Sequence, residues 1–375
     1  MITVGTTQRH YGAARNFLDA KVPGARFVRA GNIFRYPDYA LLKAFNYIDP
    51  MLGNLQWGAK GVDLLHFFNT VSMGSVPWIT TFETALPRWD YERPWAIPWG
   101  LKLMAGDPCR RLIAISECTA NFQRSVMAKW PDLAAAIEPK ITVLHPPQAA
   151  LIEDKSEIWA ETGPIRFAIV GALFFVKGGR EILRAFDRLL ARGLPLHLTI
   201  VSTLQFGDDE TRSTRADQDE ARRLIAKWPD AIVHRERLAN PDVLDLFRRS
   251  HVALLPTWAD TYGYSAVEAQ AAGCPVITTD IRAMPEINND SVGWVIPVPD
   301  DWTTNAVHIA DHTDAQRARL SAALEVEIER ILGEIAGDRS AIARKGAAAL
   351  AKIRAEHCPE AFARALGEIY AAALA

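Results

Sequence analysis

Two carboxylates, Asp260 and Glu268, stand eight positions apart in the stretch PTWADTYGYSAVEAQAAGCPVITTD, which begins at Pro256. Gly263 lies between them, and the apolar runs HVALLP and CPVITT bound the stretch on either side. An ionised carboxylate accepts several hydrogen bonds at once, so a pair of them suits a ligand rich in hydroxyl groups. A glycine removes the side chain that would keep such a ligand away from the backbone. Taken singly, Asp260 reads as a helix N-cap and Glu268 as an exposed helix carboxylate. The constellation is more specific than its parts.

The flanking elements say where these residues must sit. HVALLP reads as a buried parallel strand, and open parallel sheets bind ligands beyond the carboxyl ends of their strands. The residues after Gly263 read as a helix, YSAVEAQAA, stopped by Gly273. A helix start offers unpaired backbone N–H groups and the positive end of a dipole, which together suit a phosphate. Glu268 falls one turn further in, within reach of two adjacent ribose hydroxyls. Asp260, before the glycine, falls at the rim, where it can hold sugar hydroxyls. The pattern is that of a nucleotide-sugar clamp.

The rest of the chain supplies the frame. ITV (2–4), VDLLHFF (62–68), WITTF (78–82), RLIAIS (111–116) and KITVLH (140–145) read as one series of buried strands. RFAIVG (166–171), LHLTIVS (196–202), AIVH (231–234), HVALLP (251–256) and PVITT (275–279) read as a second. Amphipathic stretches such as GREILRAFDRLLARG lie between them, which predicts parallel sheets covered on both faces. The fold class is therefore α/β, with two doubly wound domains. The Pro-bearing segment 145–164 separates the series, giving a first domain over 1–150 and a second over 151–358. Pro359 opens a last helix, 359–375, able to pack back on the first domain.

Composition excludes several classes. At 375 residues, with 49% hydrophobic and 23% charged residues, the chain is ordinary for a globular protein of two cores. Its four cysteines form no C-x-x-C pair, so a zinc site and a disulfide scaffold are not indicated, and a reduced cytoplasmic setting fits. The start lacks the apolar centre of a signal peptide, and no run approaches a membrane span. The first 150 residues carry a formal charge of +5 and the rest −7. A basic first half suits phosphates, acidic glycans or an anionic membrane surface, and it also lies within ordinary fluctuation. The acidic stretches GDDE (207–210) and PDD (299–301) read as solvated turns, so no metal site is expected.

The stretch PTWADTYGYSAVEAQAAGCPVITTDIRAMPEI resembles the donor-site signature of retaining GT-B glycosyltransferases, the group 1, family 4-like set. Asp260, Glu268, Gly273, Pro275–Val276 and Pro285–Glu286–Ile287 fall on its parts. The resemblance implies that Glu268 binds the donor ribose, that Asp260 contacts the transferred sugar, and that amides near Tyr262, Gly263 and Tyr264 hold the distal phosphate. The family usually has glutamate at the place of Asp260, which is shorter by roughly 1.5 Å. Upstream, RFAIVGALFFVKGGREILRAFDRL resembles the loop that opens the family's donor domain, with Gly171 and Lys177 at its spacing. Lys177 would then neutralise the diphosphate. Ala172 stands where the family commonly has an arginine, and Arg180 is the nearby candidate to replace it. In the first half the match is looser: Glu83, in TFET, stands where many members carry a histidine, and reads equally as a hydroxyl-binding or a loop carboxylate. His66 reads as a packed core residue. The resemblance spans 62 to about 300.

Its implications are a GT-B architecture of two Rossmann-like domains facing a cleft and a retaining, metal-independent transfer. The donor would be a nucleoside diphosphate sugar, the acceptor a glycan or lipid-linked glycan. No cofactor is expected, and no nucleic acid. Polysaccharide or glycolipid synthesis, in the cytoplasm or at the inner face of the cell membrane, is the corresponding setting. The segment RWDYERPWAIPWGLKLM (88–104) mixes aromatic and basic residues, and reads as a membrane rest, a sugar-stacking loop or core packing. Three other readings stay open: a catalytically degenerate nucleotide-sugar-binding partner of another transferase, a phosphorylase-like enzyme with lysine-bound pyridoxal phosphate, and a nucleotide-sugar epimerase.

Overall fold

Runs of Val, Ile, Leu and Phe without polar alternation need cover on both faces, and the chain supplies it by alternating strand and helix. The computed structural model describes residues 1–47, 49–89, 93–207, 209–302 and 312–375. These fall into two compact units, one from residues 1–147 and 357–375, the other from 148–302 and 312–356.

The first unit holds β1 (Ile2–Thr6), β2 (Ala25–Arg29), β3 (Leu55–Gln56), β4 (Leu64–Phe68), β5 (Val71–Ser72), β6 (Trp78–Phe82), β7 (Cys109–Ala114) and β8 (Ile141–Val143). Its helices are α1 (Tyr11–Ala13), α2 (Arg35–Phe45), α3 (Pro50–Gly53), α4 (Ile97–Ala105), α5 (Glu117–Met127) and α6 (Pro131–Ile137). The main sheet runs β2-β1-β4-β6-β7-β8, parallel throughout, and β3 pairs with β5 beside it. The second unit holds β9 (Ile165–Val170), β10 (Leu196–Val201), β11 (Ile232–Arg235), β12 (Val252–Leu255), β13 (Val276–Thr279) and β14 (Trp294–Ile296). They form a parallel sheet in the order β11-β10-β9-β12-β13-β14. Its helices are α7 (Ser156–Trp159), α8 (Gly179–Ala191), α9 (Arg215–Lys227), α10 (Asn240–Arg249), α11 (Tyr264–Ala271), α12 (Met284–Ile287), α13 (Asp314–Gly337) and α14 (Ser340–Glu356). A last helix, α15 (Pro359–Leu374), returns to the first unit.

Central strands are buried along their whole length, as in LLHFF of β4 and WITTF of β6. Besides the two-residue strands β3 and β5, two strands lie outside the apolar runs of the sequence, β2 and β14. Both are sheet edges, where one side faces no neighbouring strand and the demand for apolar residues relaxes.

One core of the first unit joins Val4, Phe17, Leu64, Phe68, Ile79 and Ile113 to Phe362, Leu366 and Tyr370 of α15. His66 lies inside it, its Nδ1 2.7 Å from the Tyr370 hydroxyl and its Nε2 2.9 Å from Thr81 Oγ1. Burial pushes its pKa down to about 3, so it is a neutral packing residue. The segment 88–104 also packs inward. Trp89, Ile97, Leu101 and Met104 are buried, Trp99 stacks on Trp89 at 5.3 Å, and Trp95 alone of its tryptophans is well exposed. Core packing, not a membrane rest, accounts for most of that segment; its Asp90, Tyr91 and Glu92 lie outside the described residues, as does Asp208 of the GDDE turn.

Candidate functional site

In the second sheet β9 neighbours both β10 and β12, so the strand order reverses at the β9–β12 junction. Such a switch point leaves a crevice beyond the carboxyl ends. The two segments singled out in the sequence, 171–178 after β9 and 256–263 after β12, both emerge there.

The first segment is a buried turn, not a loose loop. Phe174, Phe175 and Val176 are all but fully buried, and the amides of Lys177 and Gly179 donate to the carbonyls of Leu173 and Phe174 at 3.0 and 2.9 Å. A side chain at Gly171 would meet the Lys177 stem at 3.2 Å, so the glycine makes room for the lysine to lie across it. Gly178 has φ +77°, and a Cβ there would stand 2.3 Å from the Pro256 carbonyl oxygen. The two segments are stitched together at Val176, whose carbonyl accepts from the Trp258 amide at 2.8 Å and from Thr257 Oγ1 at 3.0 Å.

Asp260 closes the second segment. One carboxylate oxygen accepts from the Gly263 amide at 2.9 Å and from the Tyr262 amide at 3.3 Å. The other pairs with Lys177 Nζ, and both side chains are mostly buried. The two residues given separate roles above are thus one ion pair. Gly263 adopts φ +88° directly before α11, and a Cβ there would lie 2.3 Å from Met284 Cε. Tyr262 is buried and its ring lies 5.1 Å from that of Tyr264 at the first position of the helix. Glu268 lies one turn on, 6% exposed.

The other end of α11 is held by residues the sequence reading passed over as linker. The Ala271 carbonyl accepts from the Leu151 amide at 2.8 Å, that of Ala272 from Lys155 Nζ at 2.8 Å, and that of Gly273 from Trp159 Nε1 at 3.2 Å. Lys155 Nζ also reaches the Phe247 carbonyl at 2.7 Å and Cys274 Sγ at 3.0 Å. Burial lowers its pKa, and the thiol opposes that shift. A cation at the carboxyl ends of α10 and α11 complements their dipoles.

Arg180 faces a different neighbourhood. Its guanidinium donates to Asp217 at 2.9 Å and to Glu181 at 3.0 Å, and lies 5.9 Å from the centre of the Trp258 ring. With Arg184 it lines a cavity of ≈ 400 Å³ toward α13 that includes neither Lys177, Asp260 nor Glu268. In the first unit, Glu83 follows β6. Its Oε1 accepts from Asn69 Nδ2 at 3.1 Å and from Arg88 at 3.0 Å, and its amide donates back to Asn69 Oδ1 at 3.1 Å. His10 is held low by burial, opposed by the charge of Glu83. Among the described residues no cluster of His, Cys, Asp and Glu has the makings of a metal site.

Comparison with known proteins adds three findings. Residues 152–323 match the sequence profile of the family described as glycosyl transferases group 1. A D-inositol 3-phosphate glycosyltransferase of Arthrobacter sp. (strain FB24) is 24% identical over 251 residues, covering 66% of this chain and 55% of its own. The chain spans about half the length of the curated relatives it matches. Among solved structures, a glycosyltransferase from Rickettsia africae superposes with a TM-score of 0.60 at 15% identity, over 100% of this chain and 98% of its own. The HepE protein of Anabaena, crystallised with UDP, gives 0.60 at 11% identity over 99% and 100%. At such identities the structural likeness speaks for the fold.

Proposed function

We propose that this chain, whose residues 152–323 match the glycosyl transferases group 1 and whose fold is that of GT-B structures, moves a sugar from a nucleoside diphosphate sugar to an acceptor hydroxyl with retention of anomeric configuration. The observation that carries this reading is the junction of Lys177, Asp260 and the Gly263-led start of α11 at the sheet's switch point.

The chemical demand is to stabilise charge building on the leaving diphosphate while the sugar acquires oxocarbenium character. The start of α11 and Lys177 meet that demand. Without ligand, Lys177 is neutralised by Asp260. Donor entry exchanges that partner for a phosphate and turns the Asp260 carboxylate toward the sugar hydroxyls, fixing the sugar's orientation. Glu268 takes the ribose hydroxyls, and the amides near Tyr262 and Tyr264 the distal phosphate. Gly171 keeps the floor open. Arg180, held by Asp217 and Glu181, acts through Trp258 rather than on the donor. Retention rests on the resemblance of the Asp260–Glu268 motif to retaining members, and the anomeric proton signal of the product checks it. The reaction so built needs no metal ion, and transfer in excess EDTA tests that. The acceptor side lies on the first unit, with Glu83 at its hydroxyl, and the acceptor is a cell-surface glycan or its lipid-linked precursor at the inner face of the membrane.

The deciding experiment is a thermal-shift panel of UDP, GDP, ADP and dTDP with their sugars, on wild type and Glu268→Ala. UDP goes first, because a fold neighbour holds it. A ligand at a hundred times its Kd adds about 2.7 kcal/mol of stability. The expected result is a shift with one nucleotide class, weakened about tenfold or more in affinity by the substitution. No shift with any nucleotide, in a folded protein, overturns the donor site. A shift without transfer to any acceptor points to the degenerate partner instead.

A further inference from the structure

Helix α2, RYPDYALLKAF, has no buried residue. Its Tyr36, Tyr39, Leu42 and Phe45 are 79%, 58%, 38% and 75% exposed. Ile33 and Trp57, 42% and 48% exposed, flank its first turn. The Ile33 amide donates to the Trp57 carbonyl at 3.1 Å, and the Phe34 and Trp57 rings lie 6.5 Å apart. Large apolar side chains scattered singly over a surface are ordinary; a gathering of them marks a contact site.

The chemistry of the patch selects its partner. Tyrosine and tryptophan carry an apolar ring and a polar tip, which favours a boundary that is dry at one end and wet at the other. Lys43 lies over the Tyr39 ring at 5.6 Å, and Arg35 opens the helix. Asp38, the one acid of α2, is partly buried. The first 150 residues bear a formal +5. A second copy of the chain fits less well, since a stable interface takes about 20–30 residues from each side. Lysine is also depleted from interface cores. A few aromatic side chains with flanking cations suffice for the headgroup region of a bilayer. The strands of this sheet are parallel, so α2 follows β2 from the same sheet edge that Glu83 follows β6.

We propose that α2, with Ile33 and Trp57, docks the first unit on an anionic phospholipid surface. The proposal extends the lipid-linked acceptor reading above and stands on a different observation. Vesicle binding needs neither donor nor acceptor, so the two can fail separately. Co-sedimentation would use vesicles of phosphatidylcholine alone and vesicles with about a third phosphatidylglycerol, where each cation near the surface is worth about fivefold in partition. The chain should bind the anionic vesicles, and bind less as salt rises. Tyr36→Ser with Phe45→Ser should lower partition at least about tenfold. Lys43→Glu should lower it about fivefold or more. The melting temperature and the nucleotide shift should not move in any of these variants. Equal binding by wild type and the double variant, or no binding by wild type, overturns the proposal. So does concentration-dependent dimerisation in light scattering that the double variant abolishes, which gives the patch to a second copy.

Discussion

Helices α11 and α2 each follow the carboxyl end of a strand in a parallel sheet, and their surroundings are opposite. Six of the eight residues of α11 are buried, Glu268 among them, while none of the eleven in α2 is. A helix packed on all sides holds the atoms at its start in fixed positions, which is what recognition of a small, charged ligand requires. A helix packed on almost none offers area and chemical character instead, which suits a deformable partner. Burial therefore separates a helix used for its end from one used for its side.

The comparison can be broken most severely at Gly178. In Gly178→Ala the new Cβ would press on the Pro256 carbonyl at 2.3 Å, forcing apart the two segments that meet below α11. Nucleotide thermal shifts should vanish, and stability should drop by about 1–2 kcal/mol from the left-handed backbone alone. A preserved shift would show that the segments do not form the donor site. Next in size is Lys155→Met. It strips a donor from the carbonyls of Phe247 and Ala272, at about 1–3 kcal/mol each, partly offset by relief of the buried ammonium. Urea melts should lose stability at constant m-value; an unmoved midpoint would mean that packing alone holds α11. Lys177→Ala removes the cation from a mostly buried carboxylate and should cost about 1–3 kcal/mol, limited because Asp260 keeps its two amide donors. Its turnover at saturating donor should fall by about a hundredfold, and normal turnover would remove Lys177 from the reaction. Smallest should be the stability effect of Tyr39→Ser with Phe45→Ser, within about 0.5 kcal/mol, since both rings are mostly exposed. A larger loss in thermal melts would mean that these rings hold α2 in place.

How much of this the sequence disclosed depends on the distance over which each feature is specified. The turn before α11 is local: Asp260, Gly263 and the strand before them lie within a dozen residues, and their order alone implies the geometry. The double series of strands is also local, because burial on both faces is written in each run. Edge strands β2 and β14 escaped because edges relax that requirement. Lys155 and Trp159 escaped because a side chain that caps a helix over a hundred positions away leaves no mark on its own neighbours. The pairing of Lys177 with Asp260 is of the same kind, each residue legible and their contact not. In segment 88–104, aromatic and basic residues suggested a surface, yet Trp89 is buried in the core and the partly buried Trp99 stacks on it. In α2 the opposite occurred, for its composition is that of any packed helix and only its exposure, with no residue buried, makes it unusual.

The cysteines have a use that follows from where they lie. Cys109 belongs to the first unit and Cys274 to the second, and both are buried. Burial raises both thiols, Cys109 to about 12, and Cys274 donates to the Phe247 carbonyl at 3.0 Å beside Lys155. Alkylating reagents attack the thiolate, so neither sulfur reacts until its own unit opens. Cys118 and Cys358 are partly exposed and will label first. Each half of the chain thus carries its own sealed clock. Mass increments after timed labelling would read the opening rates of the two halves from a single sample.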